Sequence, residues 1–311
     1  MTDTTKEIFE KYEVRKTPEQ KKAFREYIIS YARNLGYNVK EEAISKKASN
    51  VVVGDPDSAK VIYTAHYDTC AAMPFPNFIT PKCFPIYLAY QLILTTVMFI
   101  IPFLIMFVGA PIVLERTESQ PLYTATLLGG YALLWFILWL MMNGPANKHT
   151  ANDNTSGTTL LADIMRDIPT EDRSSVAFIF FDLEERGTIG SRIYKKAHPT
   201  IAKTKPVINF DCVSDGKNIL FVVKKNAAQL VPKLQEAFKS NETYSVEVLT
   251  KGAFYPSDQR NFELGVGVAS LKSFKNGILY MDKIHTKNDT VYDEENIEFL
   301  KNGAIALAKI I

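Results

Sequence analysis

The chain has 311 residues and a formal net charge of +2, from 36 basic and 34 acidic side chains. That length gives one large domain or two small ones with ample core, and so even a charge balance excludes a nucleic-acid surface. Cys70, Cys83 and Cys212 have no paired spacing, which points to a reducing compartment rather than a disulfide framework.

The opening MTDTTKEIFEKYEVRK has no apolar stretch, so no cleavable signal peptide is expected. Thr17-Pro18-Glu19-Gln20 reads as a helix start, with Thr as cap, Pro at the first helical position and Gln at the capping-box position. Phe24, Tyr27, Ile28, Tyr31 and Leu35 follow at helical spacing, and Gly36 is a natural stop. Strands are expected around Asn50–Val53 and at Val61–Ala65, separated by the turn-like GDPDS.

Two uncharged, strongly apolar segments come next, Tyr87–Val108 and Leu122–Met142. Each is long enough to cross about 30 Å of hydrocarbon as a helix. Pro102 is expected to kink the first, which membrane helices tolerate. The short connection Glu115-Arg116-Thr117-Glu118 makes the pair a hairpin. The expected organisation is one α/β domain from residues 1–83 and 144–311, interrupted by a transmembrane hairpin over 84–143. Lys82 and Lys148 flank the spans while Arg116 lies in the loop, a slight positive bias toward the flanks. With no export signal ahead of the first span, the expected placement is a two-span protein of the cell membrane with its catalytic part in the cytoplasm.

After the hairpin, Thr155 and Ser156 are candidate caps for a helix carrying Leu160, Leu161, Ile164 and Ile168 and closed by Pro169. Strands are expected at Ser175–Phe181, Pro206–Phe210, Asn218–Val223, Tyr244–Leu249, Val266–Leu271 and Gly277–Met281. Helices are expected at Ser191–Ala197, near Ala227–Phe238 and at Ile297–Ile311. Such alternation predicts a three-layer α/β/α sandwich with a mixed, largely parallel sheet.

Polar residues fall at the carboxyl ends of the apolar strands, where open α/β sheets bind ligands. They are His66 and Asp68, then Glu184 and Glu185, then Asp211, with Asp153 and His285 added from loops. On a strand, residues two apart share a face, so Asp68 is placed to hold the ring of His66 and fix its tautomer. Imidazoles with carboxylates suit zinc, manganese or cobalt, and the lack of cysteine among these ligands argues against a structural zinc site. Five protein ligands shared by two divalent ions, one carboxylate bridging, would leave room for a water. Of the adjacent Glu184 and Glu185, one can bind metal while the other serves as general base. His149 and His198 have no partner in this pattern and are read as surface residues.

The ordered set His66-x-Asp68, Asn152-Asp153-Asn154 followed by Thr-Ser-Gly, Glu184-Glu185-x-Gly187, Asn209-Phe210-Asp211 and Ile284-His285-Thr286 with Asp289 resembles metallopeptidase family 28. This is the co-catalytic zinc aminopeptidase family, and the resemblance covers roughly residues 18–69 and 148–311. It implies that His66 and Asp211 bind one ion and Glu185 and His285 the other. Asp153 would bridge the two, Glu184 would be the general base, and Asp68 would orient His66. The implied activity is release of N-terminal residues from peptides by a two-metal-activated water, with two zinc ions as cofactors and with peptide and lipid bilayer as partners. Ser257-Asp258 matches the family's Ser-Asp-His stretch, but Gln259 stands in the histidine's place. Tyr255 is, by analogy, a candidate to stabilise an oxyanion. Three other readings share parts of this pattern: a related dinuclear carboxypeptidase or amidohydrolase, a single-zinc glutaminyl cyclase, and a catalytically inactive scaffold or receptor. The span between Asp211 and His285 is taken up by sheet elements and leaves no room for an inserted dimerisation domain. His66 and Asp211 are both intact, and so is the rest of the ligand set, which favours the aminopeptidase.

Overall fold

The strand Val176-Ala177-Phe178-Ile179-Phe180-Phe181 has no polar residue, and burial on both faces explains why. Val176, Phe178 and Phe180 enter one hydrophobic cluster while Ala177, Ile179 and Phe181 enter another on the opposite side of the sheet. Each fully buried phenylalanine contributes roughly 2–3 kcal/mol of transfer free energy, so the central strands hold the layers together. A computed structural model describes all residues, 1–311.

The N-terminal part contains α1 (Asp3–Tyr12), α2 (Pro18–Asn34), β1 (Val39–Ser45), β2 (Ala48–Val53) and β3 (Val61–His66). α2 begins with the expected capping box: Gln20 N–H donates to Thr17 Oγ1 at 3.3 Å and Thr17 N–H donates to Gln20 Oε1 at 2.9 Å. The elements α1 and β1 were not expected from the sequence. β1 is an edge strand with a mostly exposed, charged face, so it lacks the apolar run that marks its neighbours.

Two long helical segments follow. The first runs through α3 (Phe84–Leu104), a π-turn (Ile105–Gly109) and α4 (Ala110–Thr117). The π-turn follows Pro102, whose missing N–H disturbs the ladder. α5 (Gln120–Asn143) returns antiparallel. The first helix thus continues through Thr117, and the turn is shorter than the four residues expected, with Glu118 left-handed at φ 53°. Gly130 permits the close crossing, since a Cβ there would lie 2.4 Å from Met106 Cγ. Ile93, Phe107, Trp135 and most other large apolar side chains of the pair are exposed. Both segments are long and apolar enough to cross a membrane.

The remainder supplies α6 (Ser156–Asp167), β4 (Val176–Phe181), α7 (Ile189–Ala197), α8 (Pro199–Thr204), β5 (Pro206–Phe210) and β6 (Asn218–Val223). After these come α9 (Val231–Ala237), β7 (Ser245–Leu249), β8 (Leu264–Ser273), β9 (Leu279–Tyr280) and α10 (Glu294–Ile310). The sheet order is β1-β2-β4-β3-β5-β8-β6-β7, with β9 beside β8. β4, β3, β5 and β8 are mutually parallel in the centre, and antiparallel pairs (β2 with β4, β6 with β8) flank them. Helices α1, α2, α6, α9 and α10 cover one face, and α7 and α8 cover the other. This is the mixed α/β/α sandwich expected.

One local expectation fails. α6 is capped by neither Thr155 nor Ser156, because Thr155 is already helical and Ser156 Oγ donates to Asn152 O at 2.7 Å. Asn154 takes that role, its Oδ1 accepting from Gly157 N–H at 3.0 Å.

Candidate metal centre

β3, β4 and β5 are parallel neighbours, so their carboxyl ends open at one rim and bring His66, Glu184, Glu185 and Asp211 together. His66 is buried, and its Nδ1 lies 3.0 Å from the Asp68 main-chain oxygen. A carbonyl only accepts, so Nδ1 carries a proton towards it and Nε2 is the ring nitrogen that faces inward. There Nε2 is 3.3 Å from Asp153 Oδ1 and 3.5 Å from Asp211 Oδ1. The expected carboxylate support is therefore a carbonyl support, because Asp68 Oδ1 is 3.7 Å from Nδ1. The Asp68 carboxylate instead accepts the N–H groups of Glu184 at 2.9 Å and Glu185 at 3.2 Å. It holds the turn that carries both glutamates.

Asp153 lies on an irregular, buried turn before α6. The Asp289 carboxylate accepts from the N–H groups of Asn152 at 2.9 Å and Asp153 at 3.0 Å. Asn154 Nδ2 donates to Phe210 O at 3.0 Å, and Asn152 Oδ1 accepts from Ser214 N–H at 2.8 Å. The two asparagines thus staple the Asp153 turn to the segment after β5, fixing Asp153 against Asp211. Asp153 Oδ2 reaches His285 Nε2 at 3.1 Å, and Glu185 Oε2 reaches the same nitrogen at 3.3 Å. His66, Asp153 and Asp211 form one group of convergent donor atoms; Cys70, Glu185 and His285 form a second. Glu184 and Tyr255 line the same cleft.

Burial opposes charge on His66, yet its bonds to Asp153 and Asp211 and their charge push its pKa well above the usual value. For His285 the same opposition, against Glu185 and Asp153, ends at about 9. Burial works against ionised Asp153, but both imidazoles pull its pKa below the ordinary range. Burial first, then neighbouring carboxylates, raise Glu185 to about 8 and Glu184 well above 4.5. A site with more buried carboxylates than imidazoles calls for added positive charge. Glu185 Oε1 is moreover buried without a partner. Imidazole and carboxylate donors with an orphaned oxygen among them fit zinc.

Three side chains sit differently from expectation. Tyr255 Oη donates to Asp211 O at 3.0 Å, so its proton is committed to the main chain rather than offered to the cleft. Gln259, at the departure from the motif, supports it from behind: its Nε2 donates to Tyr255 O at 2.6 Å. His198 is half-buried rather than a free surface residue, with Nε2 2.9 Å from Glu42 Oε2 and its ring stacked on Tyr194. His149 is exposed. Cys70 and Asp258 were given no role by sequence. Cys70 continues the two-residue spacing of His66 and Asp68, the sequence signal that marks it as a neighbour of the same site.

The model of peptidase family M28 matches residues 140–309. The chain belongs to peptidase family M28. Its matched stretch excludes His66 and Asp68, which the fold nevertheless delivers to the same rim as the matched Asp153, Asp211 and His285. This M28 chain is similar in structure to the LapA aminopeptidase of Legionella pneumophila, with TM-score 0.58 and 13% identity over 98% of this chain and 69% of that one. It is also similar to a Zn-dependent exopeptidase from Parabacteroides distasonis, with TM-score 0.59 and 16% identity over 98% and 97% of the two chains. A glutaminyl cyclase from Porphyromonas gingivalis aligns with TM-score 0.56 and 13% identity over 94% and 91%. At these identities the likeness is one of fold. No curated protein sequence matches the chain. Family and site together make this M28 protein a zinc-metallopeptidase-type hydrolase.

Proposed function

We propose that the chain is a membrane-anchored aminopeptidase that uses two zinc ions. The carrying observation is Asp153, which directs one carboxylate oxygen to His66 Nε2 at 3.3 Å and the other to His285 Nε2 at 3.1 Å. In this reading His66 and Asp211 hold one ion, Glu185 and His285 the other, and Asp153 lies between. Bound metal would acidify a water and polarise the scissile carbonyl. Glu184 takes the proton from the attacking water and returns it to the leaving amine. Its raised proton affinity, caused by burial and nearby carboxylates, suits a group that must hold a proton between the two transfers. Asp68 fixes the turn that aims Glu184. The acidic surroundings favour a substrate presenting a protonated α-amino group.

Residues 1–83 and 144–311 form the catalytic domain in this proposal, and 84–143 its membrane hairpin. The exposed apolar belt supports insertion. Met141 and Met142 of α5 line a hollow that also contains Glu185 and His285, which supports a cleft close to the bilayer surface. Lys16 Nζ donates to Met142 O at 2.9 Å, and Arg186 donates to Asn143 Oδ1 at 2.8 Å. These basic groups beside the helix end support a cytoplasmic catalytic domain.

The test is hydrolysis of aminoacyl-p-nitroanilides by detergent-solubilised protein. We expect activity that a chelator abolishes and that Glu184→Gln lowers by about 10²–10⁴-fold, the range for a lost general base. Full activity in Glu184→Gln would sink the mechanism. Conversion of N-terminal glutamine to pyroglutamate without residue release would make the chain a cyclase instead.

A further inference from the structure

The side chain of Cys70 is 5% exposed. Its sulfur has no hydrogen-bond partner, in contrast to Cys212, whose Sγ donates to Asp211 Oδ1 at 3.2 Å. The backbone around Cys70 is fixed on the side of the returning hairpin: Asn147 N–H donates to Cys70 O at 3.2 Å, and Ala71 pairs with Ala146. In that fixed position the sulfur, a Glu185 oxygen and a His285 nitrogen all lie within 4.8 Å of one another. A second, independent feature marks the same spot. Glu185 Oε1 is buried there with no partner, an oxygen that only a cation or a donor would satisfy.

We propose that Cys70 is a direct ligand of the metal ion held by Glu185 and His285. Asp153 Oδ2 lies 3.1 Å from His285 Nε2 beside this group, so thiol, imidazole and carboxylate donors of the kinds zinc takes are gathered there. The group at His66 consists of one imidazole and two carboxylates. The two ions are therefore unequal. The one on the Cys70 side would carry a thiolate donor, and the one on the His66 side only imidazole and carboxylate donors. As the sulfur–metal bond forms, the thiol S–H breaks and its proton passes to solvent. A thiolate ligand also selects zinc or cobalt over magnesium and manganese at this position. The inference rests on the two-ion reading above but is tested apart from it.

The experiment is substitution with cobalt(II), read by absorption spectroscopy and by metal content per chain. Wild type and Cys83→Ser should bind two cobalt ions, and both of these and Cys212→Ser should show an intense near-ultraviolet thiolate-to-cobalt band. Cys70→Ser and Cys70→Ala should lack that band. They should also release one cobalt at least about tenfold more readily to a chelator, since loss of even an indirect metal support costs about 10–100-fold in affinity. Two bound cobalt ions without the band, or a band that survives Cys70→Ser and vanishes in Cys212→Ser, would overturn the assignment. A single bound cobalt with a Cys70-dependent band would uphold Cys70 and defeat the two-ion reading. No cobalt bound at all would defeat both.

Discussion

Replacing Asp68 by alanine removes the acceptor of the Glu184 and Glu185 N–H groups, at 2.9 and 3.2 Å, while leaving every metal-binding side chain in place. Hydrogen bonds to a charged acceptor contribute about 1.5–3 kcal/mol each. The turn also contains Leu183 at φ 59°, a left-handed conformation that costs an L-residue about 1–2 kcal/mol, so it has reason to relax once released. If both bonds serve to aim Glu184 at the water, their loss of about 3–6 kcal/mol corresponds to a fall of about 10²–10⁴-fold in kcat. Asp68→Asn keeps one acceptor oxygen and should lose about half as much on a logarithmic scale, about 10–10²-fold. The assay is steady-state hydrolysis of an aminoacyl-p-nitroanilide, with metal content measured on the same samples. The loss should fall on kcat rather than KM, and the ion at His66 should be retained because a main-chain oxygen supports that ring. The reasoning is refuted if Asp68→Ala keeps kcat within about threefold of wild type, or if the ion at His66 is the one released.

Asp258 is fully buried with Oδ2 unpartnered, and burial raises its pKa from 3.8 to about 7. A carboxyl with a raised folded-state pKa stabilises the fold fully below the unfolded value, and that contribution is lost as pH rises through the folded value. Metal-free protein should accordingly weaken between about pH 4 and pH 7, by a margin on the order of 4 kcal/mol if this group acts alone. Asp258→Asn should flatten that slope and raise the thermal midpoint at about pH 8 but not at about pH 5; an equal gap at both pH values would refute it. For the hairpin, the full chain should remain with membranes through alkaline carbonate extraction, whereas protein with residues 84–143 replaced by a short polar linker should be soluble. Release of the intact chain by carbonate would count against insertion.

Much of this protein is legible from residue order alone, for identifiable reasons. Strands β3, β4 and β5 are central and buried on both faces, so their sequences are unbroken apolar runs, and their ends announce the polar residues that follow. The α2 capping box is a local contact between residues three apart, which sequence specifies directly. Edge strand β1 was not legible, because half-exposed strands carry charges that read as loop. The cap of α6 is not legible, because Thr155 Oγ1 accepts from the distant Arg15 and Ser156 Oγ turns back to Asn152 O.

The same division runs through the site. Sequence by itself pointed to the convergence of His66, Glu184, Glu185 and Asp211, since each follows the carboxyl end of an apolar strand, and parallel pairing brings those ends to one rim. It could not determine what each atom touches. That Asp68 supports His66 through its carbonyl and the glutamates through its carboxylate depends on where the β4 turn lands against β3. That Cys70 faces Glu185 and His285 depends on the hairpin's return past Ala146. Contacts between segments distant in sequence are set by packing, and packing is decided only when the whole chain has folded.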